Sequence, residues 1–182
     1  MVSREEGRHL VALSLSRHLL ETGLSQTSLR QLAKASGVSD RMLLYYYTDK
    51  AAALSAAMAN VAAGLTARMD TAMPLGTVMP ARAFAAVVAQ FTISAESAPV
   101  MRLWIEVVAA AARGEAPFPQ LAGTIAAGFI DWAEARLDPA GLTDPRAMAV
   151  SIIALIDGLA VIGVCADKDL VARAAANLVD LV

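Results

Sequence analysis

Cysteine occurs once in the 182 residues, at Cys165, which rules out an internal disulfide framework and any cysteine metal cluster. Histidine occurs twice, at His9 and His18. Their separation does not match the i, i+4 spacing of a helical metal pair, so no metal site is expected and both read as surface or phosphate-neighbouring residues. Aromatic residues make up only 5% of the chain, and no stretch alternates apolar and polar in the manner of a half-buried strand. There is no H-E-x-x-H, no G-x-S-x-G and no glycine-rich phosphate loop, so neither a catalytic constellation nor a cofactor is expected, and the chain does not read as an enzyme. The first residues lack a basic segment followed by an apolar one, so no signal peptide is expected and the cytoplasm is the expected location.

What the chain has in quantity is small and apolar. Hydrophobic residues account for 57%, many of them alanine, which is ample for a core and favours helices. The punctuation fits an all-α chain. Gly23 stops a first helix over 3–22, whose Leu10, Leu13, Leu20 and Leu24 are expected to bury against the next two helices. A helix from Asp49 or Lys50 to about Met73 is followed by the turn-rich Pro74–Pro80. Further helices are expected at 81–97, 99–113, 117–137, 145–166 and 168–182, with prolines at several of the starts.

Between the first helix and the long fourth one lies SLRQLAKASGVSDRMLLYYYTDK, residues 28–50. Ser28 and Gln31 make an S-x-x-Q capping box, so a helix begins at Ser28. Gly37 can take the left-handed conformation that ends it, Ser39 can cap the next helix, and small Ala33 allows two helices to cross closely. This is a helix-turn-helix pattern, whose second helix enters the DNA major groove. In that helix Leu43 and Tyr47, four apart, form the buried pair. The opposite face presents Arg41, Met42 and Tyr45, flanked by Asp40, Leu44 and Tyr46. Arginine can donate two hydrogen bonds to guanine, and tyrosine can bond a phosphate or pack on a thymine methyl. Lys50 is placed to meet a backbone phosphate. The formal charge of −2 is unevenly spread: residues 1–50 carry seven basic and five acidic side chains, the remainder eight and twelve. A mildly basic head on an acidic body suits a protein that touches DNA at one end.

Residues 10–54 resemble the DNA-binding domain of the TetR/AcrR family of transcriptional regulators. The family pattern T-v-r-e-I-A-k-x-A-G-V-S is matched by Ser28-Leu-Arg-Gln-Leu-Ala33 and Lys34-Ala-Ser-Gly37-Val-Ser39, followed by Asp40 to Tyr47, Lys50 and Leu54. The resemblance implies DNA contacts at Ser28, Arg30, Asp40, Arg41, Met42, Tyr45, Tyr46 and Lys50, and Ser39 is grouped with them. Leu44 departs from the pattern, standing where the family usually has a phosphate-bonding tyrosine. Tyr46 replaces the usual histidine and Tyr47 the usual phenylalanine.

The expected architecture is therefore an N-terminal three-helix helix-turn-helix head, residues 1–50, on an antiparallel helical-bundle body, residues 51–182, for ligand binding and dimerisation. The resemblance places an effector among the middle helices, with Phe84, Val88, Phe91, Met101, Trp104, Ile105, Phe129, Trp132 and Asp157 as candidate contacts. The few polar groups among them point to a small, mainly apolar effector. Arg102 and Glu106, at i, i+4, read as a surface pair. Residues 147–166 carry one charge, Asp157, and are long enough to span a membrane. The mid-segment charge and two glycines favour a buried helix instead, which by the resemblance pairs with the last helix in a four-helix homodimer interface. The expected function is a ligand-responsive regulator binding a double-stranded operator, more often a repressor than an activator. The competing expectation is an all-α protein-interaction or small-molecule-binding module that does not bind DNA.

Overall fold

The computed structural model describes residues 3–178, in which the chain forms nine helices and no strand. They are α1 (Arg4–Thr22), α2 (Leu29–Ala35), α3 (Asp40–Tyr46), α4 (Lys50–Ala72), α5 (Ala81–Thr92), α6 (Ala98–Ala112), α7 (Phe118–Glu134), α8 (Pro145–Cys165) and α9 (Lys168–Leu178). Two compact units divide them. One takes the chain up to Thr66 together with Glu106–Ala122, and the other takes Ala67–Ile105 and the residues from Gly123 onward. Helices α4, α6 and α7 each contribute to both.

In the first unit α1, α2 and α3 pack against one another, the three-helix arrangement expected. The caps are local and follow the sequence. Ser28 and Gln31 form both halves of a capping box, Ser39 Oγ accepts from the Met42 N–H, and Asp49 Oδ1 accepts from the Ala52 N–H. A second capping box, Ser3 with Glu6, starts α1.

The leucines of α1 correct the expectation. Leu10 and Leu13 are 55% and 41% exposed, and Leu20 and Leu24 are only partly covered. The buried stripe is instead Val11, Leu15 and Leu19 with Ala12 and Ser16. Ser16 tolerates burial because its hydroxyl donates to the Ala12 carbonyl at 2.7 Å and lies 2.9 Å from that of Ala57. A serine inside the apolar stripe disguised it from a count of leucines.

In the second unit α5 packs on α8 and α9, and α8 packs on α9. The core holds Phe84, Val88, Leu103, Trp132, Ile152, Ile156 and Val171. Helix α5 ends at Thr92, short of the expected 97. Ser94 and Ser97 turn the chain there, with Ser94 Oγ donating to Ser97 Oγ at 3.0 Å. Helix α7 likewise stops at Glu134, and Met79 and Leu137 form an isolated parallel bridge. The last helix is described to Leu178, so residues 179–182 of the expected 168–182 lie outside the described residues.

Helix α8 is less covered than expected of a buried helix. Ala149, Ile152, Ile156, Leu159 and Ala160 are buried, but Val150, Val161, Ile162 and Val164 are exposed. Among the described residues it alone is long and apolar enough to cross a membrane.

Candidate nucleic-acid interface and effector region

Leu43 is fully buried and Tyr47 nearly so, and they hold α3 onto the head. The Tyr47 hydroxyl donates to the Arg8 carbonyl at 2.7 Å, and burial pushes its pKa up. Because these two residues face inward at i, i+4, the opposite side of α3 must face out. Asp40, Arg41, Met42, Leu44 and Tyr45 are all exposed, with Tyr45 at 52%. Ser28, Arg30, Ser39 and Lys50 are exposed as well. Tyr46 is placed differently. It is half-buried, with its hydroxyl against Gly7 of α1, where a Cβ would collide with it.

Arg4 was not singled out in the sequence, since no local pattern marks it. Its guanidinium donates to the Tyr45 carbonyl at 3.0 Å and lies over the Tyr45 ring at 4.8 Å. It thus orients the end of α3 and adds a positive charge beside the exposed face.

The turn after α1 is held from α6. Glu106, expected to pair with Arg102, turns its carboxylate to accept from the Leu24 N–H at 2.6 Å. Gly23 has φ 64° and ψ −151°, a region open essentially to glycine alone, and a Cβ there would meet the Glu106 carboxylate. Gly23→Ala is therefore expected to destabilise the protein by about 1–3 kcal/mol, read as a lowered urea midpoint at unchanged slope.

The candidate effector residues fall into two groups. Phe84, Val88 and Trp132 are core residues. The Trp132 indole donates to Asp70 Oδ1 at 2.8 Å, and its ring lies 5.7 Å from that of Phe84. Arg136, 3% exposed, stacks over the same indole and donates to Asp70 Oδ1 and to the Met73 and Trp132 carbonyls. Phe91, Met101, Trp104, Ile105, Phe129 and Asp157 are only partly covered. Phe91 lies under the Arg68 guanidinium at 5.1 Å. Trp104 and Asp157 come together, the indole N–H donating to Oδ1 at 3.0 Å.

Burial raises the Asp157 pKa, and the Trp104 bond only partly offsets it. The folded state therefore holds this proton more tightly than the unfolded chain. Its contribution to stability is present at low pH and is lost as pH rises through the folded pKa. Asp157→Asn is expected to raise the melting temperature at neutral pH, with the gain vanishing once the pH falls below the carboxylate range.

The chain matches no established family profile. It is 33% identical over 86 residues to the HTH-type transcriptional regulator BetI of Paraburkholderia phymatum, a match spanning 47% of this chain and 44% of that protein. It therefore spans less than half the length of this curated relative. Among solved structures it superposes on a regulator from Rhodococcus sp. assigned to the TetR family, with a TM-score of 0.76 and 19% identity over 97% of this chain and 96% of that one. The fold is that of the TetR-family transcriptional regulators. Two further chains share it. A transcriptional regulator from Saccharomonospora viridis, solved in complex with choline, gives a TM-score of 0.68 at 16% identity over 97% and 95% of the two chains. FadR from Bacillus subtilis, in complex with stearoyl-CoA, gives 0.65 at 18% over 93% and 96%. In this fold α1–α3 form the N-terminal helix-turn-helix unit.

Proposed function

We propose that the protein is a homodimeric transcriptional repressor that leaves its operator when a small, mainly apolar effector binds the body. The observation that carries this reading is the outward face of α3. A short helix pinned by Leu43 and Tyr47 presents Arg41, Met42 and Tyr45 to solvent, and a guanidinium and an aromatic hydroxyl are groups that can bond base edges and phosphates. Ser28, Arg30, Ser39, Asp40, Tyr46 and Lys50 belong to the same operator-contacting set, Tyr46 chiefly as the residue that seats α3 on α1. Domain limits of 1–50 for the head and 51–182 for the body follow from that role.

The exposed side of α8 supports the dimer. Val150, Val161, Ile162 and Val164, with Leu170 of α9, make an apolar surface on the last two helices. A Cβ on Gly158 or Gly163 would meet nothing within 4 Å in the protomer, which leaves room for a partner helix. Pairing α8 and α9 with a second copy covers this face in water and accounts for its hydropathy without a membrane. The choline and stearoyl-CoA held by regulators of the same fold support ligand responsiveness. The partly covered Phe91, Met101, Ile105 and Phe129 are the first candidates to line the effector site.

Two α3 helices would then lie in successive major grooves, about 34–36 Å apart, and the effector would favour a body conformation that breaks this spacing. Selection of bound fragments from sheared genomic DNA tests the reading. Recovery of a pseudo-palindromic site supports it, and retention of no duplex at any salt concentration overturns it. Lys50→Ala is expected to weaken binding to all duplexes alike and to reduce the salt slope by about 1, measured by fluorescence anisotropy on specific and random DNA.

A further inference from the structure

Tyr45, Tyr46 and Tyr47 close α3, and each is met by a residue from the first two turns of α1. The Arg4 guanidinium lies over the Tyr45 ring at 4.8 Å, the Tyr46 hydroxyl packs on Gly7, and the Arg8 guanidinium lies over the Tyr47 ring at 5.1 Å. Positions 4, 7 and 8 share one face of a helix. The three contacts differ in what they leave open. Tyr47 is buried and its hydroxyl is spent on the Arg8 carbonyl, and Tyr46 is half-buried. Tyr45 is exposed, and its hydroxyl makes no described hydrogen bond.

Arg4 is exposed too, and most of its donors are unused. Its described hydrogen bond runs from Nη2 to the Tyr45 carbonyl at 3.0 Å. That carbonyl belongs to the last turn of α3, where no partner exists within the helix. A guanidinium carries five N–H groups in a planar fork, so the others remain for a further acceptor. The carboxylates next in sequence do not take them. Glu6 accepts from the Ser3 N–H at 2.7 Å, and Glu5, at i+1, does not face Arg4 on the helix. The Tyr45 ring is held by Tyr46 as well, edge to face with centroids 5.4 Å apart. Cation and phenol are thus set together before any ligand arrives, which lowers the ordering cost of binding one. Spare cationic N–H groups beside an unused phenolic O–H suit an oxyanion with two free acceptor oxygens, and a phosphodiester is one.

We propose that Arg4 and Tyr45 form a clamp for one phosphate of the DNA backbone. One non-bridging oxygen accepts from the Arg4 guanidinium and the other from the Tyr45 hydroxyl, while Arg4 keeps its bond to the Tyr45 carbonyl. The clamp rests on the reading of the protein as an operator-binding regulator. It brings α1 into the DNA contact and assigns Tyr45 to the backbone rather than to a thymine methyl, so the pair fixes docking register and not sequence.

The test is a double-mutant cycle on the full chain, read by fluorescence anisotropy on the selected operator and on random duplex across a salt series. Arg4→Ala is expected to weaken binding to both duplexes roughly five- to ten-fold at 0.1 M salt, and to flatten the salt dependence by about one unit for each head bound. Tyr45→Phe keeps the ring under the guanidinium and loses only the hydroxyl, and is expected to weaken binding to both duplexes about five-fold at nearly unchanged slope. The double variant should lose less than the product of the two single losses, because both groups hold one phosphate. Arg4→Lys should keep the slope, and Arg4→Gln, which retains an N–H for the Tyr45 carbonyl, should lose it. The Gln variant therefore decides the charge contact even where Arg4→Ala does not fold. A slope unmoved by Arg4→Ala and Arg4→Gln, or single losses that multiply in the double variant, overturns the clamp while the regulatory reading stands. A wild-type chain that retains no duplex at any salt concentration overturns both.

Discussion

Arg41→Ala is expected to weaken operator binding by about 1–3 kcal/mol for each half-site, so about 2–6 kcal/mol for a dimer engaging both. Arg41 is exposed beside the N-terminus of α3, where Ser39 caps the helix, and its side chain makes no described hydrogen bond or ion pair within the head. The effect falls on recognition rather than stability. An arginine bidentate to guanine contributes discrimination as well as affinity. The variant should therefore lose affinity for the selected operator while keeping most of its affinity for random duplex. Anisotropy titrations on both DNAs, with a thermal melt showing an unchanged midpoint, give the check. An equal loss on both DNAs would make Arg41 a phosphate contact instead.

The second large effect concerns the body. Asp70→Ala is expected to destabilise the protein by about 2–4 kcal/mol. Arg136 is almost sealed, and Asp70 is its one described anionic partner. Removing the carboxylate leaves a buried guanidinium facing two backbone carbonyls, and leaves the Trp132 indole N–H without its acceptor. The loss is smaller than for a fully enclosed pair because the Asp70 side chain is 43% exposed and solvent screens part of the interaction. For a chain of this length the midpoint should fall by about 5–15 °C. Asp70→Asn, which retains an acceptor for Trp132, should fall between wild type and Asp70→Ala. Operator preference at low temperature should be unchanged in both, which separates this cluster from the α3 face.

These two sites also differ in how far the sequence announced them. The head was legible because its signals are local. A capping box spans four residues, Gly37 takes φ 70° where a turn needs it, and Leu43 with Tyr47 obey the helical period. The Asp70–Trp132–Arg136 cluster joins residues more than sixty positions apart, and nothing within either segment marks the pairing. Trp132 therefore read as a candidate effector contact, although its ring and its N–H are both engaged by protein groups.

Glu106 failed for a related reason. Its i, i+4 spacing from Arg102 is a sound local signal, but the Leu24 N–H, 82 positions away, lies within 2.6 Å of its carboxylate. The α1 stripe was missed through composition. The inward face joins Leu15 and Leu19 to Val11, Ala12 and Ser16, while Leu10 and Leu13 point outward, so leucine positions alone do not locate it. The half-exposed α8 shows the opposite limit. All-round apolarity indicates that a helix is to be covered, and a single protomer covers only one side of it.

The central claim is that the outward face of α3 meets DNA, and the salt dependence of duplex binding by the intact chain tests it most directly. A protein that neutralises phosphates releases counterions, so log K should fall linearly with log salt, at close to one unit of slope per phosphate contacted. The predicted result is a slope of several units, about one unit shallower in Lys50→Ala, with a preference for one sequence that Arg41→Ala abolishes. A flat dependence, or a steep one that neither substitution alters, would contradict it.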